Sequence, residues 1–182
     1  LVGKLHVIGD PAINANIPMV LRKNGAMAIP MDCYAVGAGI PPLHRAYWSD
    51  DNRLLRAAMT AREARNVFPV LLASFGCGPA AFTEQVFQSI LEGYPHTILE
   101  SDGHGGEAGF VTRIQAFLQS VRQFIAEDQG RSLPDNDQRI AWLDHDPVNR
   151  DFLDSDVDYV AVSYTENMAN VFSAVFRAYG YQ

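Results

Sequence analysis

Phe68-Pro69-Val70-Leu71-Leu72-Ala73-Ser74-Phe75, followed by Gly76-Cys77-Gly78-Pro79, decides how this chain folds. The first eight residues are apolar nearly throughout, which suits a strand covered on both faces of a parallel sheet rather than a half-exposed one. The Gly-Cys-Gly-Pro phrase breaks that strand. Residues 81–91 then carry Phe82, Val86, Phe87, Ile90 and Leu91 toward the interior of a helix. Gly93-Tyr94-Pro95 turns the chain into a second strand over 97–100, and a glycine-rich break at 102–106 leads into a long helix over 108–125. Strands separated by helices in this way require crossovers, and crossovers imply a parallel sheet.

The same alternation extends outward. Toward the N-terminus, residues 5–8 read as a short strand ending in Gly9-Asp10-Pro11, and 17–22 as a helix with Asn16 as N-cap and Pro18 in its first turn. Residues 26–31 read as a further strand. Residues 53–65 read as a helix whose Leu54, Leu55, Ala58, Met59 and Ala61 share a side. Toward the C-terminus, 140–143 and 159–163 read as strands separated by an acidic stretch over 144–158, and residues 167–179 as a helix closed by Gly180. The expected fold is α/β, a Rossmann-like three-layer sandwich with a mostly parallel sheet. Residues 1–130 form its domain, and residues 131–182 add a linker and a strand–helix segment that begins a second lobe. A first residue Leu1 beside a core strand, and a last helix with no strand after it, read as a piece of a longer polypeptide.

Composition narrows the function. The chain has 182 residues, 48% of them apolar and 19% charged, enough to bury a core and too apolar for disorder. Its 21 acidic against 14 basic residues give a net charge of -7, which speaks against nucleic acid as a partner. No apolar run approaches the roughly 18–20 residues of a membrane span, and the first ten residues are too short a run for a signal peptide. Two cysteines make no disulfide framework, so a reducing, cytoplasmic setting is expected. No phosphate-binding GxxxxGK[ST] loop and no GxGxxG phrase occurs, so an ATPase within this stretch is not expected.

Ligands of parallel α/β sheets bind beyond the carboxyl ends of the strands, and the chemically capable residues follow strands here. Cys77 lies between two glycines at the start of a helix, where the positive end of the helix dipole favours the thiolate, the nucleophilic and metal-binding form. The alternative is a small buried hydrophobe in a turn. Asp102-Gly103-His104-Gly105-Gly106-Glu107 follows the next strand. His104 reads as a base to Cys77 oriented by Asp102 or Glu107, the turn as an anion cradle of backbone N–H groups, or Asp102 simply as a helix cap. Cys33, in Pro30-Met31-Asp32-Cys33-Tyr34, follows the strand at 26–31. With Cys77 and His104 it would suit zinc, or an iron–sulfur cluster if further cysteines were supplied. Asp144-His145-Asp146 reads as a solvated acidic linker more readily than a metal cluster, and Tyr47-Trp48 as a packing pair more readily than a stacking platform.

Tyr47-Trp48, Ser74-Phe75-Gly76-Cys77-Gly78-Pro79 with Phe82, and Glu100 through Asp102-Gly103-His104 to Glu107-Ala108-Gly109 together resemble one family. With the continuation Thr112-Arg113-Ile114-Gln115-Ala116-Phe117-Leu118, they look like the large activase-related proteins of the 2-hydroxyacyl-CoA dehydratase system. The resemblance covers about residues 1–125. It implies a non-ATPase region akin to the dehydratase subunits, with Rossmann-like lobes and a 4Fe–4S cluster in the full-length protein. ATP would be bound elsewhere in that protein and would drive low-potential electron transfer. By the same resemblance Cys77 is a cluster ligand and Cys33 a second, with Asp102 and His104 lining the site as cofactor-binding residues. The implied partners are other domains of the same polypeptide and a dehydratase or reductase protein. Two positions depart from the family phrase: Ala80-Ala81 stands where Asp-Ser is usual, and Gly103 and Gly105 interrupt a more acidic Asp-Glu-His-Ser phrase.

Overall fold

The computed structural model describes residues 1–36, 40, 42–46, 48–73, 78–101, 107–127, 132–135, 140–143 and 166–178. The chain divides into two compact units, Leu1–His145 and Asp146–Gln182. In the first, strands β1 (Val2–Gly3), β2 (Val70–Ala73) and β3 (Thr97–Glu100) form a parallel sheet in the order β1-β2-β3. Among the described residues its helices are α1 (Leu5–Gly9), α2 (Ile17–Lys23), α3 (Ser49–Ala64), α4 (Gly78–Ile90) and α5 (Glu107–Glu127). The described element of the second unit is helix α6, Glu166–Ala178. The fold is therefore α/β with a small open parallel sheet.

The decisive stretch forms the central strand. All four residues of β2 are buried, as expected for a strand flanked by neighbours on both edges and covered on both faces. Register pairs Leu71 with Val2 and with Ile98, and Ala73 with Glu100. Helix α3 packs against α4 and β1, and α2 against α5. On α3 the buried stripe is Asp51, Leu54, Leu55, Ala58 and Ala61. On α4 it is Thr83, Val86, Phe87 and Ile90, with Phe82 only partly buried. On α5 it is Phe110, Ile114, Phe117, Val121 and Phe124. Each stripe follows the three-then-four spacing of one helical face. Beyond the amino end of β2, Phe68 stacks on Tyr94 and Phe124 meets both rings edge-on, and the Tyr94 hydroxyl donates to the Val67 carbonyl at 2.8 Å.

Three expected strands are corrected. Residues 5–8 lie in helix α1, and the strand is Val2–Gly3, one residue ahead of it. Leu5 and His6 are exposed while Val7 and Ile8 are buried, a one-sided helical turn rather than an alternation, and Lys4 O accepts from the N–H groups of both Val7 and Ile8. Residues 26–30 form no strand, and Met31 opens a 3-10 turn, Met31–Cys33. Ile29 O accepts from the Leu1 nitrogen at 2.6 Å, and Met31 N donates to Leu1 O at 2.8 Å, a single parallel bridge centred on Leu1 and Pro30. The ladder goes no further because the chain turns into the 3-10 helix Met31–Cys33, where Cys33 N donates to Pro30 O at 2.9 Å. Residues 140–143 end in a 3-10 turn, Ala141–Leu143, because a four-residue apolar run suits a buried turn as well as a strand. Leu143 is fully buried there, and its carbonyl accepts from Arg45 N at 3.2 Å. Asn16 occupies the N-cap of α2, but in the left-handed region (φ 55°) and without a side-chain cap bond. The proposed strand at 159–163 lies outside the described residues.

Candidate functional site at the carboxyl edge of the sheet

β2 and β3 end in register. Ala73 is paired with Glu100, and one residue further Ser101 N donates to Ala73 O at 2.7 Å. Segments 74–77 and 102–106 follow these two strand ends in the sequence. Cys77, Asp102 and His104 lie outside the described residues, although α4 begins at Gly78, directly after Cys77. Ser101, almost wholly buried, donates its hydroxyl proton to the carbonyl of Ile13. Asn14, also buried, donates to the Ile8 carbonyl at 3.0 Å. The turn between α1 and α2 is thus pinned over the end of β3.

Cys33 closes the 3-10 turn Met31–Cys33 and is an exposed free thiol. The bridge between Leu1 and Pro30 puts this segment on the outer side of β1, so β1 stands between it and β2. Strands lie about 4.8 Å apart, so Cys33 is displaced by roughly two strand spacings, about 10 Å, from the line of β2. Beside it, Asp32 pairs with Arg53 of α3. Trp48, at the start of α3, is half exposed and meets Phe82 of α4 at 6.4 Å between ring centroids, a packing role. Among the described residues, no group of three His, Cys, Asp or Glu side chains is gathered to hold a metal ion. Iron–sulfur clusters are usually held by four thiolates, and the chain has two cysteines in all. Its own donors do not complete a cluster site; other domains would have to supply the rest.

A cavity of about 200 Å3 opens at the same edge, walled by the end of β1, by β2, and by α1, α3 and α4. Val7, Leu54, Leu71 and Leu72 make it largely apolar, and Lys4, His6, Asp51, Thr83 and Glu84 bring polar groups to it. Asp51 is 1% exposed, and its Oδ2 has no hydrogen-bond partner among the described residues. Burial pushes the Asp51 carboxyl above the usual carboxylate range; the Thr83 hydroxyl and Lys4 oppose that shift, and Asp50 adds to it. Burial also raises Glu84, helped by the nearby charge of Glu100, and Glu84 Oε1 is likewise buried without a partner. Thr83 Oγ1 donates to the Pro79 carbonyl at 2.8 Å. Perturbed carboxylates in a cleft are a recurrent mark of functional sites.

Sequence reasoning did not find Asp51, yet a signal was present. Asp51, Leu54, Leu55 and Ala58 are spaced so that the acid falls on the apolar stripe of its own helix. Thr83 marks α4 in the same way. Comparison with protein-family models, with curated proteins and with solved structures finds no match for this chain.

Proposed function

We propose that this chain is the non-ATPase, Rossmann-like α/β domain of a 2-hydroxyacyl-CoA dehydratase activase-like protein. In that protein it supports iron–sulfur cluster binding and ATP-driven low-potential electron transfer. The observation that supports the reading is the shared register of Ala73 and Glu100, the last residues of β2 and β3, which the Cys77 and His104 segments follow in the sequence. The resemblance of those same segments to the family adds to it. The thiol this chain would contribute is Cys77, the remaining thiolates coming from other domains. Cys33, outside β1, is the weaker donor.

A docking module without chemistry is the second reading. It is favoured by Ala80, which lines the cavity where the family phrase usually carries Asp. Iron, acid-labile sulfide and visible absorption of the anaerobically purified full-length polypeptide separate the two. The cluster reading expects a broad thiolate-to-iron band that Cys77→Ala abolishes and Cys33→Ala leaves largely intact. An unchanged spectrum in Cys77→Ala removes the ligand role, and an iron-free, colourless full-length protein leaves the docking module.

A further inference from the structure

The cavity at the end of β1 has no part in the cluster reading above, and its lining points to a ligand of its own. We propose that it binds a small primary amine, a compact apolar body carrying one ammonium head, with Asp51 as the acceptor. The size is right: an apolar cavity of about 150 Å3 already takes a benzene molecule, and this one measures about 200 Å3. The walls match the body of such a ligand, since Val7, Leu54, Leu71 and Leu72 offer it hydrocarbon.

The head is set by what Asp51 lacks. Its side chain is almost completely buried, lines the cavity, and keeps Oδ2 without a donor among the described residues. Buried acceptors in folded proteins nearly always have a partner, so an unsatisfied one facing a void marks where a donor belongs. Protein groups nearby do not fill the place. The Thr83 hydroxyl reaches both the Pro79 carbonyl, at 2.8 Å, and the Asp51 carboxylate, yet Oδ2 is left without a partner among the described residues. Lys4 attracts the carboxylate without an ion pair to it among the described residues. Glu84 adds a second buried, unpartnered carboxylate oxygen to the lining, and Asp50 and Glu100 add negative charge nearby. Against these stand Lys4 and His6. Acceptors without donors, in an acidic surrounding, select a cationic donor over a neutral or anionic one.

The test is titration of the full 182-residue chain, followed by NMR or calorimetry, with an amine series from methylamine to benzylamine and with benzyl alcohol and toluene as neutral comparators. The expected result is saturable binding of an amine, best toward the benzylamine end, at least tenfold tighter than benzyl alcohol. That preference disappears in Asp51→Leu and Asp51→Asn, while toluene binds the variants no worse than the wild type. Ala80→Leu, which fills the cavity from α4, weakens every probe. The proposal is overturned if no amine of the series binds, if benzyl alcohol or toluene matches benzylamine, or if the amine preference survives in Asp51→Leu. Far-ultraviolet circular dichroism verifies that both Asp51 variants are folded.

Discussion

Gly3→Ala is the sharpest perturbation this sheet offers. Gly3 has φ +154°, and a Cβ built there would lie 2.7 Å from the Leu72 carbonyl oxygen and 3.1 Å from Ile8 Cγ2. Both neighbours are fixed: Leu72 is the register partner of Gly3, and Ile8 is buried in α1. Relief requires β1 to move off β2 by several tenths of an ångström, and β1 is two residues long. A backbone conformation that L side chains rarely adopt costs about 1–3 kcal/mol, and overpacking against a rigid neighbour about as much again. The sum is about 4 kcal/mol, a large share of the roughly 5–15 kcal/mol that holds a domain together. Gly25→Ala is the internal control. Gly25 also has a positive φ, +82°, but nothing within 4 Å of a Cβ, so only the conformational part, about 1 kcal/mol, is lost. Urea unfolding followed by tryptophan fluorescence reads the difference. With a slope of about 2 kcal/mol per molar urea, the midpoint should fall about 2 M for Gly3→Ala and about 0.5 M for Gly25→Ala. Equal shifts for the two would refute the close approach of β1 to β2.

Two further outcomes follow from the same geometry. Because burial raises the Asp51 pKa in the native state, the native protein binds more protons than the unfolded chain from the ordinary carboxylate value of 3.8 up to the raised one. Stability contributed by that group therefore falls as pH rises through this window. Asp51→Asn should gain on the wild type as pH rises there, and a wild-type-minus-variant difference that is flat with pH in urea titrations would contradict the buried charge. Tyr94→Phe removes the donor to the Val67 carbonyl but keeps the ring stacked on Phe68 at 5.2 Å. It should cost about 1 kcal/mol, and a Tm unchanged by calorimetry would show that the hydroxyl bond adds nothing.

The middle of the chain was legible because its residues repeat one message at several scales. Val70–Ala73 is apolar without alternation, the helices after it carry regular stripes, and glycine or proline marks each break. The structure follows that reading through β2, α4, β3 and α5. Short apolar runs were not legible. Leu5-His6-Val7-Ile8 and Ile140-Ala141-Trp142-Leu143 hold too few residues for period two to be told from a single helical turn, and tertiary packing decided both. Residues 26–31 show a third limit. Their composition is strand-like, but strand formation needs a partner ladder, and the 3-10 turn at Met31–Cys33 ends theirs after one bridge. At the site, the glycine-flanked Cys77 and His104 stood out by composition, whereas Asp51 was hidden because an acid in the first turn of a helix is ordinary. Only its position on the buried stripe distinguishes it.

The sheet's unequal strands also set an order of assembly. Leu71 pairs with Ile98 across a single helix, α4, but with Val2 across α1, α2 and α3. Closing the shorter loop loses less chain entropy, so the β2–α4–β3 unit is the natural nucleus and β1 docks onto a surface already formed. With two residues in its ladder, β1 also has the fewest bonds to break. Hydrogen exchange at Val2 and Gly3 should then report an opening that leaves β2 and β3 paired. Each such opening unseats Gly3 and Lys4 together with the helix that follows, so the wall of the Asp51 cavity is among the first parts of this unit to come undone and the last to be put in place.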